Sequence, residues 1–389
     1  MKESITIRNF GPLLDIQIDD IKPFTLLIGE SASGKSTLIK VITLFRYISK
    51  MLHIRSFLKH ANISKSPFKL SFQTYLKMDS LDKMVTSDTE IVYAFGATGK
   101  EYSITYKNKK LQFNFQSISK QDLVFQKISF LPETRNIIPA WADRGARLAG
   151  GYLGFYFHEA YNDFEEATNT IDQLDLGYVN QHFSVRRKNN RKEFFIKPLN
   201  DDHLPVSLKD ASSGIQTSAP LTVVSSYFSK HFDFNDAFKR SVISYLFDNQ
   251  RIKDFKPIAD LADMEKIIHL HVEEPELSLF PDAQCHLLNY LVNQCFVSNK
   301  PDRTLSLMIA THSPYLLNQV NVLLRAGFYN KEVEGAYLKG NEVAVYRLFE
   351  GKLQPLQSTF GKEQEPVINT IDLSESMNEI YDIYQTLKH

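Results

Sequence analysis

The sequence predicts an α/β fold of the P-loop kind, with a mixed central sheet, an antiparallel β subdomain and a helical insertion. Three observations carry this. The run Gly29-Glu30-Ser31-Ala32-Ser33-Gly34-Lys35-Ser36-Thr37 fits G-x-x-x-x-G-K-[ST] at every fixed position. It lies between an apolar run of strand length, Phe24-Thr25-Leu26-Leu27-Ile28, and a stretch where Leu38, Ile39, Val41, Ile42, Phe45 and Ile48 recur at helical spacing. Two later apolar runs, Ile267–Val272 and Leu305–Ala310, each end in polar residues, which is how parallel strands present residues to a ligand.

The loop has a clear chemistry. Its glycines let successive N–H groups turn inward as a nest, which continues into a helix N-terminus carrying partial positive charge. Lys35 supplies a point charge for outer phosphates, Ser36 offers a hydroxyl to Mg2+, and Thr37 reaches for an inner phosphate oxygen. The pattern implies a nucleoside triphosphate.

Composition bounds the class. With 389 residues, 43% hydrophobic and 23% charged, the chain has room for one large α/β domain with insertions or for two domains. Lys plus Arg equals Asp plus Glu, 45 each, so no net field draws it to nucleic acid or anionic membrane. Cys285 and Cys295 form no C-x-x-C pair, which argues against disulfides and structural zinc. The N-terminus begins as a strand, not as a signal peptide, and no apolar run approaches the ~18 residues of a membrane span. A cytosolic chain without a membrane partner is the expectation. The most apolar stretch, 146–157, reads as a buried segment.

Taken in order, Ile5 and Ile7, a turn at Gly11-Pro12, then Leu14, Ile16 and Ile18 give a hairpin before the P-loop strand. From about Ser49 to Phe130 period-two alternation takes over, in Ser71–Tyr75, Glu90–Phe95, Tyr102–Tyr106 and Leu111–Phe115. These read as antiparallel strands beside the nucleotide. Lys127–Leu131 reads as a core strand ending in Pro132-Glu133-Thr134-Arg135, followed by mixed helix and loop from Asn136 to Asp175. Arg186–Lys192 is the densest basic run. It reads as a solvated hairpin turn between Phe183 and Phe194, since no aromatic residue interleaves with its charges, and seating of DNA phosphates is the alternative. No internal repeat or long heptad array is present.

Three later stretches join the loop. Leu208–Gln216 carries Ser213 and Gly214 at the start of a helix, an anion site or a plain Ser-rich cap. Lys266–Glu276 is an apolar strand ending in Glu273 and Glu274, the Walker B arrangement, where one acid serves Mg2+ and the next orients or deprotonates the attacking water. Leu305–Pro314 delivers His312 to a strand end, as a γ-phosphate contact. Beyond these, Val343, Val345 and Leu348 read as a strand. A final amphipathic helix is expected from about Glu365 through Ile368, Ile371, Leu373, Met377, Ile380, Ile383, Tyr384 and Leu387.

In this order the motifs resemble the ABC-type ATPase head shared by SMC proteins, RecF-type repair ATPases and OLD-type (overcoming lysogenization defect) ATPases. The run Glu273-Glu274-Pro275-Glu276-Leu277-Ser278-Leu279-Phe280-Pro281 is similar to the E-E-P-E-x-x-L-x-P stretch of OLD-like heads, and Ala310-Thr311-His312-Ser313-Pro314 resembles their switch-histidine segment. The resemblance implies a P-loop NTPase of ABC-ATPase type that binds and hydrolyses ATP with Mg2+. Residues Gly29 to Thr37 would hold the phosphates, Lys35, Glu274 and His312 would be catalytic, and Ser36 and Glu273 would hold the metal. Ser213, Gly214 and Gln216 would be the signature, with Ser213 and Gly214 meeting the nucleotide of a second subunit. A head-to-head homodimer, or a higher homo-oligomer, is therefore expected.

Departures from the family pattern are informative. Glutamate stands at 273 where many ABC proteins have aspartate, as in OLD-like members, and Ile215 replaces the second signature glycine, as in SMC-like heads and unlike transporter cassettes. No Q-loop glutamine is placed, with Gln126 and Pro132–Arg135 as the options, and the residues after His312 are too few for a Toprim nuclease domain. The expected organisation is one ABC-type domain over 1–389, with an antiparallel β insertion at 49–126 and a helical and loop insertion at 136–207. The signature, Walker B, switch histidine and C-terminal helix follow over 208–389. By resemblance, the expected role is an ATPase switching a separate effector, a nuclease or toxin, in anti-phage defence. The alternative is a RecF- or SMC-like DNA clamp in repair.

Overall fold

The computed structural model of the chain describes residues 1–63, 72–96, 99–142, 154–189, 191–200, 204–243, 246, 264–370 and 382–386. The hairpin of β1 (Lys2–Phe10) and β2 (Leu13–Ile18) leads into β3 (Phe24–Ile28), the phosphate loop and α1 (Lys35–His60). Then come α2 (Phe72–Met78), β4 (Val85–Gly96), β5 (Glu101–Lys107), β6 (Lys110–Phe113) and β7 (Val124–Leu131). The short α3 (Ile138–Ala142) and α4 (Gly154–Thr170) precede β8 (Gln173–Leu176), β9 (Gln181–Lys188), β10 (Arg191–Pro198) and β11 (Val206–Ser207). The rest comprises α5 (Ser213–Lys230), α6 (Phe234–Phe238), β12 (Glu265–Glu273), α7 (Pro281–Val292), β13 (Thr304–Thr311) and α8 (Pro314–Phe328). It ends in β14 (Val343–Phe349), β15 (Lys352–Pro355), β16 (Gln357–Phe360) and β17 (Glu365–Ile368).

Among the described residues, eleven strands form one mixed sheet in the order β6-β5-β4-β1-β2-β15-β14-β3-β13-β12-β7. From β14 to β7 every pairing is parallel. These strands are nearly continuous apolar runs, buried on both faces as parallel sheets require. On the other side β2, β1, β4, β5 and β6 pair antiparallel and alternate, the expected β subdomain. A second sheet, β11-β10-β9-β8, forms separately. The α/β class with a mixed sheet and an antiparallel subdomain is the one the sequence predicts. Among the described residues no helix is long and apolar enough to cross a membrane.

Register decides where the site lies. Thr311 pairs with Ile28, Ala310 with Glu273, and Val272 with Leu131. The C-terminal ends of β3, β13, β12 and β7 therefore open side by side. Behind them, Arg46 of α1, 1% exposed, ties three strands together. It donates to both oxygens of Glu3 at 3.1 and 2.6 Å and lies 2.7 Å from His271 Nε2, while Tyr93 of β4 donates to the same glutamate. Thr43 and His271 Nδ1 are 2.5 Å apart. A network this buried is strongly destabilised when one partner is removed.

Three expectations are corrected. The alternation at Ser71–Tyr75 is not a strand: Phe72–Met78 is helical, and Ser71 lies outside the described residues. Phe72 and Leu76 are buried while Tyr75 rings meet Tyr47 at 5.2 Å, an i, i+3, i+4 stripe that five residues cannot distinguish from alternation. Helix α1 continues to His60, past the point near Ser49 where strand character is expected to begin. Glu365–Ile368 is a strand, not the start of a helix. Its turn places Gly361 and Gln364 at φ 72 and 55, and Ile368 exchanges hydrogen bonds with the Asn321 side chain of α8 at 2.6 and 3.1 Å. Of the expected terminal helix, residues 371–381 and 387–389 lie outside the described residues, while 382–386 are helical with Ile383 and Tyr384 exposed. Of the segment 146–157 only the start of α4 is described.

Burial also fixes an acid sensitivity. His53 is 2% exposed, and burial pulls its pKa down to about 3; His269 and His271 are likewise held neutral by burial. Each takes up a proton near pH ~6.5 once unfolded. Because the folded pKa is depressed, stability is fully present above the unfolded value and is lost as pH falls below it. Chemical unfolding followed from about pH 7.5 to about 5.5 should show a loss steepening below ~6.5, about 1.4 kcal/mol per unit for each histidine. His53→Asn, which keeps an acceptor for the Val124 N–H, should remove one histidine's share of that slope.

Candidate functional site

The phosphate loop is held open by its own lysine. Gly34 sits at φ 104, in the left-handed region open to glycine, and abuts the hairpin turn at Pro12 and Leu13. At Gly29 a Cβ would stand 2.6 Å from the Leu348 carbonyl oxygen, so only glycine fits. Lys35, 5% exposed, donates to the carbonyls of Gly29 and Glu30 at 2.9 Å each. Burial lowers its pKa and the charges of Glu274 and Glu276 oppose this, which places all three in one field. Glu30, Ser31 and Ala32 form the exposed tip, with Ala32 at φ 63, while Ser33 lies between exposed and buried. Ser36 faces solvent and Thr37 is buried against Met84. Helix α1 has no acidic residue in its first turn to compete for its free N–H groups.

Glu273 ends β12 in a nearly dry pocket, 2% exposed. Burial raises its pKa; the Lys40 charge and hydrogen bonds from the Ser36 hydroxyl and the Glu133 N–H act against that. Among the described residues its Oε1 has no hydrogen-bond partner, and Lys40 Nζ stands 3.8 Å away. An orphaned buried carboxylate oxygen beside a serine hydroxyl is the donor set a hard divalent cation such as Mg2+ uses. Ser36 and Glu273, expected to share the metal, are thus neighbours at the end of β12.

Glu274 adopts φ 43, a left-handed conformation that costs a non-glycine residue about 1–3 kcal/mol. Its N–H bonds the Ala310 carbonyl at 2.8 Å, and its carboxylate lies 3.5 Å from His312 Nε2. Burial and then Glu276 hold its pKa above the ordinary glutamate value, with His312 and Lys35 pulling the other way. Glu274, His312 and Lys35 therefore meet at one crevice. Glu276 fastens the histidine segment: its Oε1 accepts from Thr311 Oγ1 at 2.7 Å and from the His312 N–H at 2.8 Å. Ser313 then caps α8 through the Leu316 N–H at 3.2 Å.

The signature residues are placed differently. Ser213 is exposed at the start of α5, and Gly214 is buried so tightly that a Cβ would stand 2.6 Å from the Ser278 carbonyl oxygen. Gln216 donates to the carbonyls of Lys209 and Ala211 at 2.6 and 2.9 Å, folding the turn before its own helix. The contacts of this helix start run to the loop after β12, through Thr217 Oγ1 to the Leu277 carbonyl at 2.9 Å.

Three residues escape the sequence reading. Lys40 lies one helical turn beyond Ser36, a spacing that could have flagged it. Glu276 stands in the acidic run without a visible task, and Arg135 looks like a strand terminator. Gln126, one Q-loop option, is buried within β7 and faces Ser49 Oγ at 3.4 Å, whereas Glu133 reaches Glu273. The basic run forms the tip of the β9–β10 hairpin, with Asn190 outside the described residues. Arg187 is tied to Asp172 and to the Thr168 carbonyl, Lys192 to the Glu165 carbonyl, and Arg186 stacks on Phe195.

No family model and no curated protein matches this chain. Among solved structures it resembles an SMC head bound to the C-terminal winged-helix domain of ScpA, with 10% identity over 91% of this chain and 97% of that one, TM-score 0.42. The SMC head domain from Thermotoga maritima gives 10% identity over 91% and 97%, TM-score 0.35. A dimeric post-hydrolysis ATP-binding cassette bound to ADP and phosphate gives 12% over 90% and 96%, TM-score 0.30.

The Glu276 contacts can be weighed directly. Glu276→Ala should lower unfolding stability by about 1–3 kcal/mol, since it strips acceptors from Thr311 and His312, whereas Glu276→Gln keeps an acceptor oxygen and should cost much less. Thermal or urea denaturation of both variants checks this.

Proposed function

We propose that this chain is an ATPase whose head closes on a second copy around two ATP molecules. The reading is carried by one observation: Lys35, Ser36, Glu273, Glu274 and His312 share the crevice at the ends of β3, β12 and β13. The residues at 29–37 cradle the triphosphate through main-chain N–H groups and Lys35. Mg2+ held by Ser36 and Glu273 would offset phosphate charge. Glu274 takes the proton of the attacking water as it adds to the γ-phosphorus, ADP leaves, and phosphate is the second product. His312, held by Glu276, faces the same carboxylate and contacts the γ-phosphate.

Ser213 and Gly214 serve the partner's nucleotide in this reading, supported by the exposure of Ser213 at a helix N-terminus. The E-E-P-E and A-T-H-S-P stretches support an OLD-like head, and with it control of a separate nuclease or toxin in anti-phage defence. ATP favours the closed pair because it binds that form better, and hydrolysis releases it.

Glu274→Gln should cut kcat about a hundredfold or more and trap an ATP-dependent dimer, while wild-type activity per chain rises with protein concentration. Light scattering and steady-state rates check both; an equally active monomer would overturn the shared-site reading. The raised pKa of Glu274 places the acid limb of kcat above the ordinary glutamate range, with rate falling as pH drops through it. Glu276→Gln removes a neighbouring charge and should move that limb to lower pH in a pH–rate profile.

A further inference from the structure

Arg135 is wholly buried, 0% exposed, yet among the described residues its hydrogen bonds go to no carboxylate. Its donors go to main-chain carbonyls instead. Nε reaches Thr217 at 2.9 Å, Nη1 reaches Pro132 at 3.0 Å and Glu273 at 2.6 Å, and Nη2 reaches Glu274 at 2.7 Å. These four carbonyls belong to three elements: the loop after β7, the acidic end of β12 and the first turns of α5. A planar fork with fixed donor directions can hold such a set, and an ammonium cannot.

The same junction is closed from the other side. Thr217 accepts from Arg135 with its carbonyl, and its hydroxyl lies 2.9 Å from the carbonyl of Leu277, the third residue after Glu274, and 3.1 and 3.0 Å from those of Ser213 and Gly214, so one proton is shared between the two segments. Gly214 lies against Ser278 with no room for a Cβ. The main chain of Glu273 and Glu274 therefore cannot shift without moving the start of α5, and Ser213 moves with it.

We propose that Arg135 is a positioning residue which, with Thr217, couples the acidic end of β12 to the signature turn. The state of one nucleotide site then sets how Ser213 is offered to the partner's nucleotide. This rests on the head-to-head reading above.

The test compares Arg135→Lys, Arg135→Gln and Thr217→Val, each in the full chain and again in the Glu274→Gln background. Three quantities are read: binding of a fluorescent ATP analogue, kcat and KM for ATP, and the ATP-dependent dimer dissociation constant. Coupling gives analogue binding within about threefold of the parent, kcat lower by about tenfold or more at similar KM, and a dimer about tenfold weaker or worse. A folded Arg135→Lys or Thr217→Val protein that hydrolyses ATP and dimerises like its parent overturns the coupling. So does a parallel loss of analogue binding and dimerisation, the mark of a merely structural residue. Should the Arg135 variants fail to fold, Thr217→Val decides by the same readings. A Glu274→Gln parent that stays monomeric in ATP overturns the head-to-head reading itself, and the coupling with it.

Discussion

A carboxylate kept almost dry governs the arrangement of this molecule. Glu273 is 2% exposed with one oxygen lacking a hydrogen-bond partner among the described residues, and an uncompensated buried charge is costly. What makes it tolerable comes from elements distant in sequence: Lys40 and Ser36 on α1, and the Glu133 N–H after β7. Those donors converge only if β12 lies between β7 and β13 in the register observed. The Arg46 network, joining α1 to β1, β4 and β12 behind the site, holds that register from within the core. The sheet order is thus tied to the electrostatics of one residue.

Much of this was legible because it is local. A strand feeding a glycine-rich turn and a helix can be read from a few consecutive residues, and so can an apolar run ending in Glu273-Glu274 or in His312. Arg135 could not be read that way. Its task is defined by Glu273 and Glu274, 138 and 139 positions away, and by Thr217, 82 away. Glu276 was visible in the acidic run, but its bonds to Thr311 and His312 depend on β12 and β13 being neighbours. Phe72–Met78 and Glu365–Ile368 failed for a different reason. Short segments carry too few residues to separate a period of two from one of 3.6, and packing against Tyr47 or Asn321 decides.

The second residue of the acidic pair shows how the fold prepares chemistry. Glu274 sits in a left-handed conformation, its N–H bonded to the Ala310 carbonyl and its own carbonyl to Arg135. That turn aims its side chain toward His312, away from the neighbouring Glu273. Two adjacent glutamates consequently experience different surroundings, one dry beside α1 and one half-buried between a histidine and a lysine. Environments that differ in this way let chemically identical groups take different roles.

The signature turn completes the logic by being unlike the rest. Residues 273–276 and 311–313 bond to one another within the chain, whereas Ser213 faces solvent and its helix spends its inward contacts on Leu277 and Ser278. Gln216 is likewise occupied at home, by the turn it closes. A helix N-terminus left open to solvent favours anions from outside the chain. In the proposed dimer that anion is the partner's γ-phosphate, and the surface that receives it is anchored to the acids acting on the chain's own nucleotide. Arg135 therefore stands between the acidic end of β12 and the start of α5, its guanidinium donors spent on main-chain carbonyls and the Thr217 hydroxyl closing the same junction.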